Sequence, residues 1–194
     1  MKNLEAVRNS IIEAAEKHFS LLGFEKTTLD DIAGANGKSK TSVYYHFKNK
    51  HELFRSVIEK EFAAVRADLT AAMAKEGGSL AEGMKTYLRT RMRSLREQGA
   101  YRMFASSRLA FGENPVSKAV ADARLQFDSW ERKFLEQNVI SSRDSGGTAR
   151  DLPAGEFATT VANLLKALEY RSLSNRDNDE VADTCDGMID LILR

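Results

Sequence analysis

At 194 residues, with 42% apolar and 29% charged side chains, the chain has room for one or two domains and a sizeable core in an ordinary soluble balance. Its single cysteine, Cys185, excludes an internal disulfide, and a formal net charge of +1 excludes a uniformly basic or acidic binder. No stretch approaches the ~20 apolar residues of a membrane span, and Lys2 is followed by mixed-polarity sequence rather than an apolar leader.

A cytoplasmic protein with no membrane partner is therefore expected. Only two prolines occur, Pro115 and Pro153, and β-branched runs are scarce, so helix is free to dominate. The first helix is predicted from about Leu4 to Leu22, with Ile11, Ile12, Ala15 and Phe19 inward and Gly23 as its C-terminal stop. Thr28 reads as the N-cap of a second helix over about 29–36, with Asp31 three residues on approximating a capping box. Leu29, Ile32 and Ala33 point to its buried side, and Gly37 supplies the corner after it.

The third helix lies in Lys38-Ser-Lys-Thr-Ser-Val-Tyr-Tyr-His-Phe-Lys-Asn-Lys50, which holds four lysines and no acid. Helical spacing puts Val43 and Phe47 on one face and Thr41, Tyr44, Tyr45 and Lys48 on the other. Two apolar anchors behind hydroxyls, phenols and amines suit an anionic, hydrogen-bonding surface, and duplex DNA fits best. Three short helices with a glycine corner before the third form a helix-turn-helix bundle.

A long fourth helix is predicted from about Lys50 to Ala74, ended by Gly77-Gly78. A fifth follows from Leu80 to about Gln98 and a sixth from Tyr101 to Phe111. A seventh starts after Pro115 and carries Val116, Val120, Ala123, Phe127, Trp130 and Phe134. Ser141 to Pro153 reads as a polar loop, and helices over about 154–173 and 178–193 complete roughly nine. The last is acidic, with Asp177, Asp179, Glu180, Asp183, Asp186 and Asp190 in or near it, so charge is polarised along the chain. Cys185 reads as a small buried residue there.

The first 55 or so residues resemble the TetR family of transcriptional regulators. The matching residues are Ile11-Ile-Glu-Ala-Ala15, Phe19, Gly23-Phe24, Thr27-Thr-Leu-Asp-Asp-Ile-Ala33, Gly37, Ser39-Lys40, Val43-Tyr-Tyr-His-Phe-Lys-Asn-Lys50 and Glu52-Leu53. Asn36 and Lys38 depart from the small apolar residue and the valine usual at those places. The resemblance implies a DNA-binding domain over 1–49 and a helical effector-binding and dimerisation domain over 50–194. It places Thr28, Lys38, Tyr45, His46, Lys48 and Lys50 at the DNA backbone. It places Lys40, Thr41, Ser42 and Tyr44 nearest the base edges, with Ser39 also at the interface. Packing against the fourth helix is the alternative for the tyrosines, and His46 sits beside buried Val43. His18 and His51 read as surface or hinge residues.

The resemblance also implies a homodimer through the last two helices, using Val161, Leu164, Leu165, Leu168, Val181, Met188, Ile189 and Ile192. Such a dimer presents two reading helices about 34–36 Å apart, or somewhat more, to a palindromic operator. In this family a small-molecule effector usually binds among the later helices. Arg91 falls on the apolar stripe of Leu80, Met84, Leu88 and Leu95, and Arg108 falls among Tyr101, Phe104, Ala105 and Phe111. A buried arginine needs a partner. An internal acid, Glu61 or Glu169, is one candidate. The other is the anionic head of an amphipathic effector packed on Met84, Tyr87, Leu88, Met92, Phe111, Phe127 and Trp130. The methionines serve equally well as plain core.

A one-component repressor is the leading expectation, and an effector-less helix-turn-helix factor, architectural or binding a protein partner, is the alternative. An enzyme is excluded by three histidines without metal-ligand spacing, one isolated cysteine and no phosphate loop or hydrolase signature. No cofactor is implied.

Overall fold

The computed structural model describes residues 2–74, 79–144 and 153–174, together with Gly187. Among them lie eight α-helices: α1 (Lys2–Lys26), α2 (Leu29–Ala35), α3 (Lys40–His46), α4 (Lys50–Ala74), α5 (Leu80–Glu97), α6 (Gly99–Ala105), α7 (Pro115–Asp144) and α8 (Ala154–Ser174). A single 3-10 turn occupies Arg108–Ala110, and the described residues contain no strand. The all-α class and the order of elements agree with the sequence. The Gly77-Gly78 break and, apart from Gly187, the predicted ninth helix lie outside the described residues.

Two boundaries differ from expectation. The sixth helix stops at Ala105 instead of running to Phe111, because Ser106, Ser107 and Asn114 compete for the backbone. Ser106 and Ser107 hydroxyls donate to Arg102 O and Phe104 O, and Asn114 Nδ2 donates to Leu109 O. Arg108 and Phe111 are consequently exposed rather than aligned on an apolar face, and Phe111 is 63% accessible. The polar loop expected from Ser141 starts later, because α7 continues to Asp144 and residues 141–144 are helical.

The chain divides into two compact units, one of residues 1–63 and 97–124 and the other of 64–96 and 125–194. Compactness thus groups the first part of α4, α6 and the start of α7 with the first three helices, a division other than the one expected at 49/50.

In the first unit α1 breaks at Gly23, whose backbone is left-handed (φ 76°), and Phe24 turns back onto Phe54 with ring centroids 5.1 Å apart. Phe19 meets Phe54 edge-on at 4.9 Å, and Ile11, Ile12, Ala15, Ile32, Val43 and Phe47 close the core around them. Gly99 lets α6 press on α1. A Cβ there would fall 2.4 Å from Ser20 Oγ.

Glu61, four residues after Val57 and four before Val65 on the apolar side of α4, is 1% exposed and caps α6. It accepts the Ala100 and Tyr101 N–H groups at 2.8 Å each, filling two of the four orphan donors of that helix. Burial pushes its carboxyl from the ordinary 4.5 up to about 7, against the lowering effect of those two bonds. Between these values the folded protein holds a proton that the unfolded chain releases, so this group's contribution falls as pH rises from 4.5 to 7 and is constant above. The stability of Glu61→Gln relative to the native chain is expected to rise by about 3 kcal/mol from pH 4.5 to pH 8. Urea unfolding across that range measures it, and a pH-independent difference would contradict the assignment.

In the second unit Val65, Leu69, Met84, Leu88, Met92, Phe127, Leu135, Val139, Phe157, Val161 and Leu165 are all buried. Helix α5 keeps its apolar stripe inward as its spacing requires, with Arg89 and Arg93 outward and Arg96 half-buried. On α8, Val161 and Leu165 belong to this core, while Leu164 and Leu168 are half-buried.

Candidate nucleic-acid interface

The helix-turn-helix is built from local rules that the sequence obeys. Thr28 caps α2 through a complete capping box: its hydroxyl accepts from Asp31 N at 3.1 Å, and Asp31 Oδ2 accepts from Thr28 N at 3.0 Å. The bonds from the Thr28 side chain and backbone hold the Asp31 carboxyl below its ordinary range. After Asn36 the chain turns through Gly37, whose φ of 60° favours a residue without Cβ. Asn36 earns its unusual place by donating to Ser10 Oγ of α1 at 3.2 Å.

Ser39 caps α3, its hydroxyl accepting from Ser42 N at 3.2 Å. Asn49 and Glu52 cap α4. Behind α3, Val43 and Phe47 are fully buried, and the Arg8 guanidinium lies 4.9 Å from the Phe47 ring while donating to Ser56. In front, Tyr44 is 53% and Tyr45 73% exposed, with Thr41 and Lys48 also exposed. The tyrosines face solvent rather than packing on α4. His46 is half-buried with its ring edge-on to Tyr45. Thr28, Lys38, Ser39 and Lys40 are exposed and Ser42 is half-buried.

The four lysines are not equivalent. Lys40 is ion-paired with Asp30 of α2, which raises its pKa. Lys50, expected at the DNA backbone, turns its amine inward to Phe24 O at 2.8 Å and Thr27 O at 2.9 Å, and lies 4.3 Å from the centre of the Phe24 ring. It serves the carbonyl end of α1, where a cation is favoured, and burial lowers its pKa. Lys38 and Lys48 are exposed, as Lys40 is despite its ion pair. Sequence reasoning missed Asp30, Arg8 and Glu52. Of these only Glu52 had a local signal, standing three residues after Asn49 as a helix-capping acid does.

The residues expected around an effector separate in the structure. Met84, Tyr87, Leu88, Arg91, Met92 and Phe127 are buried within one unit, with Trp130 half-buried. Arg91 is fully buried and held by internal acids. Its Nε donates to Glu131 Oε1 at 2.6 Å, and its Nη2 donates to Glu131 Oε2 at 3.2 Å and to Glu169 Oε2 at 3.0 Å. The Tyr87 hydroxyl also donates to Glu131, at 2.7 Å, and burial beside that acid raises its pKa well above the ordinary value. Glu169 was one of the expected partners, Glu61 is engaged elsewhere, and Glu131 was not anticipated. Its position was nonetheless a signal: Phe127, Glu131 and Leu135 share one helical face.

A helix-turn-helix whose last helix has two buried anchors behind it and exposes phenols, hydroxyls and amines has the shape and polarity that suit a DNA groove. A family model described as "Bacterial regulatory proteins, tetR family" matches residues 11–57. Over 56 residues the chain is 41% identical to the biofilm operon icaADBC HTH-type negative transcriptional regulator IcaR of Staphylococcus epidermidis, covering 29% of this chain and 30% of that protein. It is 29% identical over 126 residues to the HTH-type transcriptional regulator RutR of Escherichia coli, covering 64% of this chain and 58% of RutR. The chain thus spans under a third of the first relative's length and under two thirds of the second's.

Two solved structures share the fold over nearly the whole chain. A TetR-family transcriptional regulator from Pectobacterium atrosepticum has TM-score 0.76 at 18% identity, covering 100% of this chain and 95% of that one. The fatty acid degradation regulator FadR from Bacillus halodurans has TM-score 0.69 at 13% identity, covering 94% of each. Residues 11–57 are thus similar to the TetR family of bacterial regulatory proteins, and the chain shares the fold of a TetR-family structure. Among the described residues no helix is long and apolar enough to cross a membrane.

Proposed function

We propose that this protein is a cytoplasmic one-component repressor. As a homodimer it binds a palindromic operator, and a small-molecule effector releases it by favouring a different dimer state. The observation that carries the DNA-binding part is the two-sidedness of α3, with Val43 and Phe47 at 0% exposure opposite Tyr44 and Tyr45 at 53% and 73%. Dimerisation through the last two helices is supported by Leu164 and Leu168 of α8, which the subunit leaves half-buried. The DNA-binding part is tested by selecting duplexes from a random pool with purified protein. A palindromic consensus is expected, and failure to enrich any sequence would refute it.

Phosphate contacts set position and edge contacts set sequence. Lys48→Ala is therefore expected to weaken binding to all duplexes alike and to flatten the salt dependence by about one phosphate equivalent. Thr41→Ala and Tyr44→Phe are expected to alter the ranking of operators instead. Titrations at several salt concentrations separate the two, and a uniform effect from all three variants would overturn this division of roles.

The expected anionic head group finds no support at Arg91, which is occupied by Glu131 and Glu169, or in the predicted apolar setting of Arg108, which is exposed.

A further inference from the structure

Helix α3 opens on a cation. Lys40 is its first residue and its first turn holds no acid. The amino end of a helix carries positive partial charge, so a lysine there is locally unfavourable. The compensation comes from another helix: Asp30, in the first turn of α2, ion-pairs with the Lys40 amine. Both side chains are open to water, 66% exposed for Lys40 and 49% for Asp30. An ion pair so exposed adds little to stability. Its geometric consequence is that the Lys40 amine meets a carboxylate of its own subunit before DNA arrives.

On a duplex the ammonium has two classes of competing acceptor, phosphate oxygens and the O6/N7 edge of guanine. In a docked helix-turn-helix the first helix of the motif crosses the backbone. Asp30 therefore faces phosphates, and its carboxylate repels every duplex regardless of sequence. Only a register that places a guanine edge before Lys40 offsets that repulsion. Resting on the DNA-reading role proposed above, we infer that Asp30 is a specificity-determining residue. It withholds Lys40 from phosphates and yields it to a guanine edge, weakening binding to arbitrary sequence more than to the operator.

The test uses the full-length protein, the operator recovered by selection and a scrambled duplex of equal length, with affinities measured across a potassium chloride series. Asp30→Asn is expected to tighten binding to the scrambled duplex roughly fivefold, the scale of one removed charge repulsion. The operator should gain less, so the operator-to-scrambled ratio falls. The salt slope on the scrambled duplex should steepen by about 0.9 as Lys40 engages one more phosphate. In a Lys40→Met background, Asp30→Asn should shift both duplexes by a common factor and leave the ratio alone. An unchanged ratio for Asp30→Asn in the otherwise native chain would overturn the inference while leaving operator binding standing. Native protein that binds no duplex would remove the regulator reading and this inference together.

Discussion

Replacing Arg91 by alanine is expected to destabilise the fold by about 3–5 kcal/mol, the largest effect of any single charge removal here. The guanidinium is fully buried and binds Glu131 through two nitrogens while also reaching Glu169. Removing it leaves two carboxylates, 1% and 3% exposed, without the cation that justifies their burial. Glu131→Gln should cost less, about 1–3 kcal/mol, since the amide oxygen still accepts from Arg91 or the Tyr87 hydroxyl. Arg108→Ala, at an exposed site, should stay within about 0.5 kcal/mol of the native chain. Urea unfolding followed by circular dichroism ranks the three. Equal losses for Arg91→Ala and Arg108→Ala would contradict the buried network.

The second large effect concerns the back of the reading helix. Phe47→Ala should cost about 3–5 kcal/mol, the usual range for emptying a fully buried phenylalanine site. Phe47 is also the C-cap of α3, and its ring lies beneath Arg8 of α1. Its loss therefore frees the helix from its support as well as opening a cavity. Operator affinity should fall with stability although Phe47 contacts no solvent. Anisotropy titration below the melting temperature checks this, and native affinity in a destabilised variant would show that the anchors do not position the exposed face.

Much of the DNA-binding head was legible because its instructions are local. The capping box of Thr28 and Asp31, the corner at Gly37 and the burial of Val43 and Phe47 each follow from residues within one or two helical turns. Lys50 shows where that legibility stops. Its partners, the carbonyls of Phe24 and Thr27, are more than twenty positions away, and no spacing rule points to them. Nor does a spacing rule pair Asp30 with Lys40, which face each other across a turn. The sixth helix failed for a different reason. Apolar periodicity continued to Phe111, but serines and an asparagine gave the backbone alternative hydrogen bonds.

Amino-acid order by itself determined the all-helical class, the third helix and which of its faces is greasy, because helical periodicity and capping act over a few residues. Only the tertiary structure decided which charges are spent inside the protein: Lys50 on carbonyls of α1, Glu61 on the start of α6, and Arg91 between Glu131 and Glu169. A buried ion or hydrogen-bonding group must be satisfied by whatever packing brings near, and nearness in space between distant segments is not written in any local pattern.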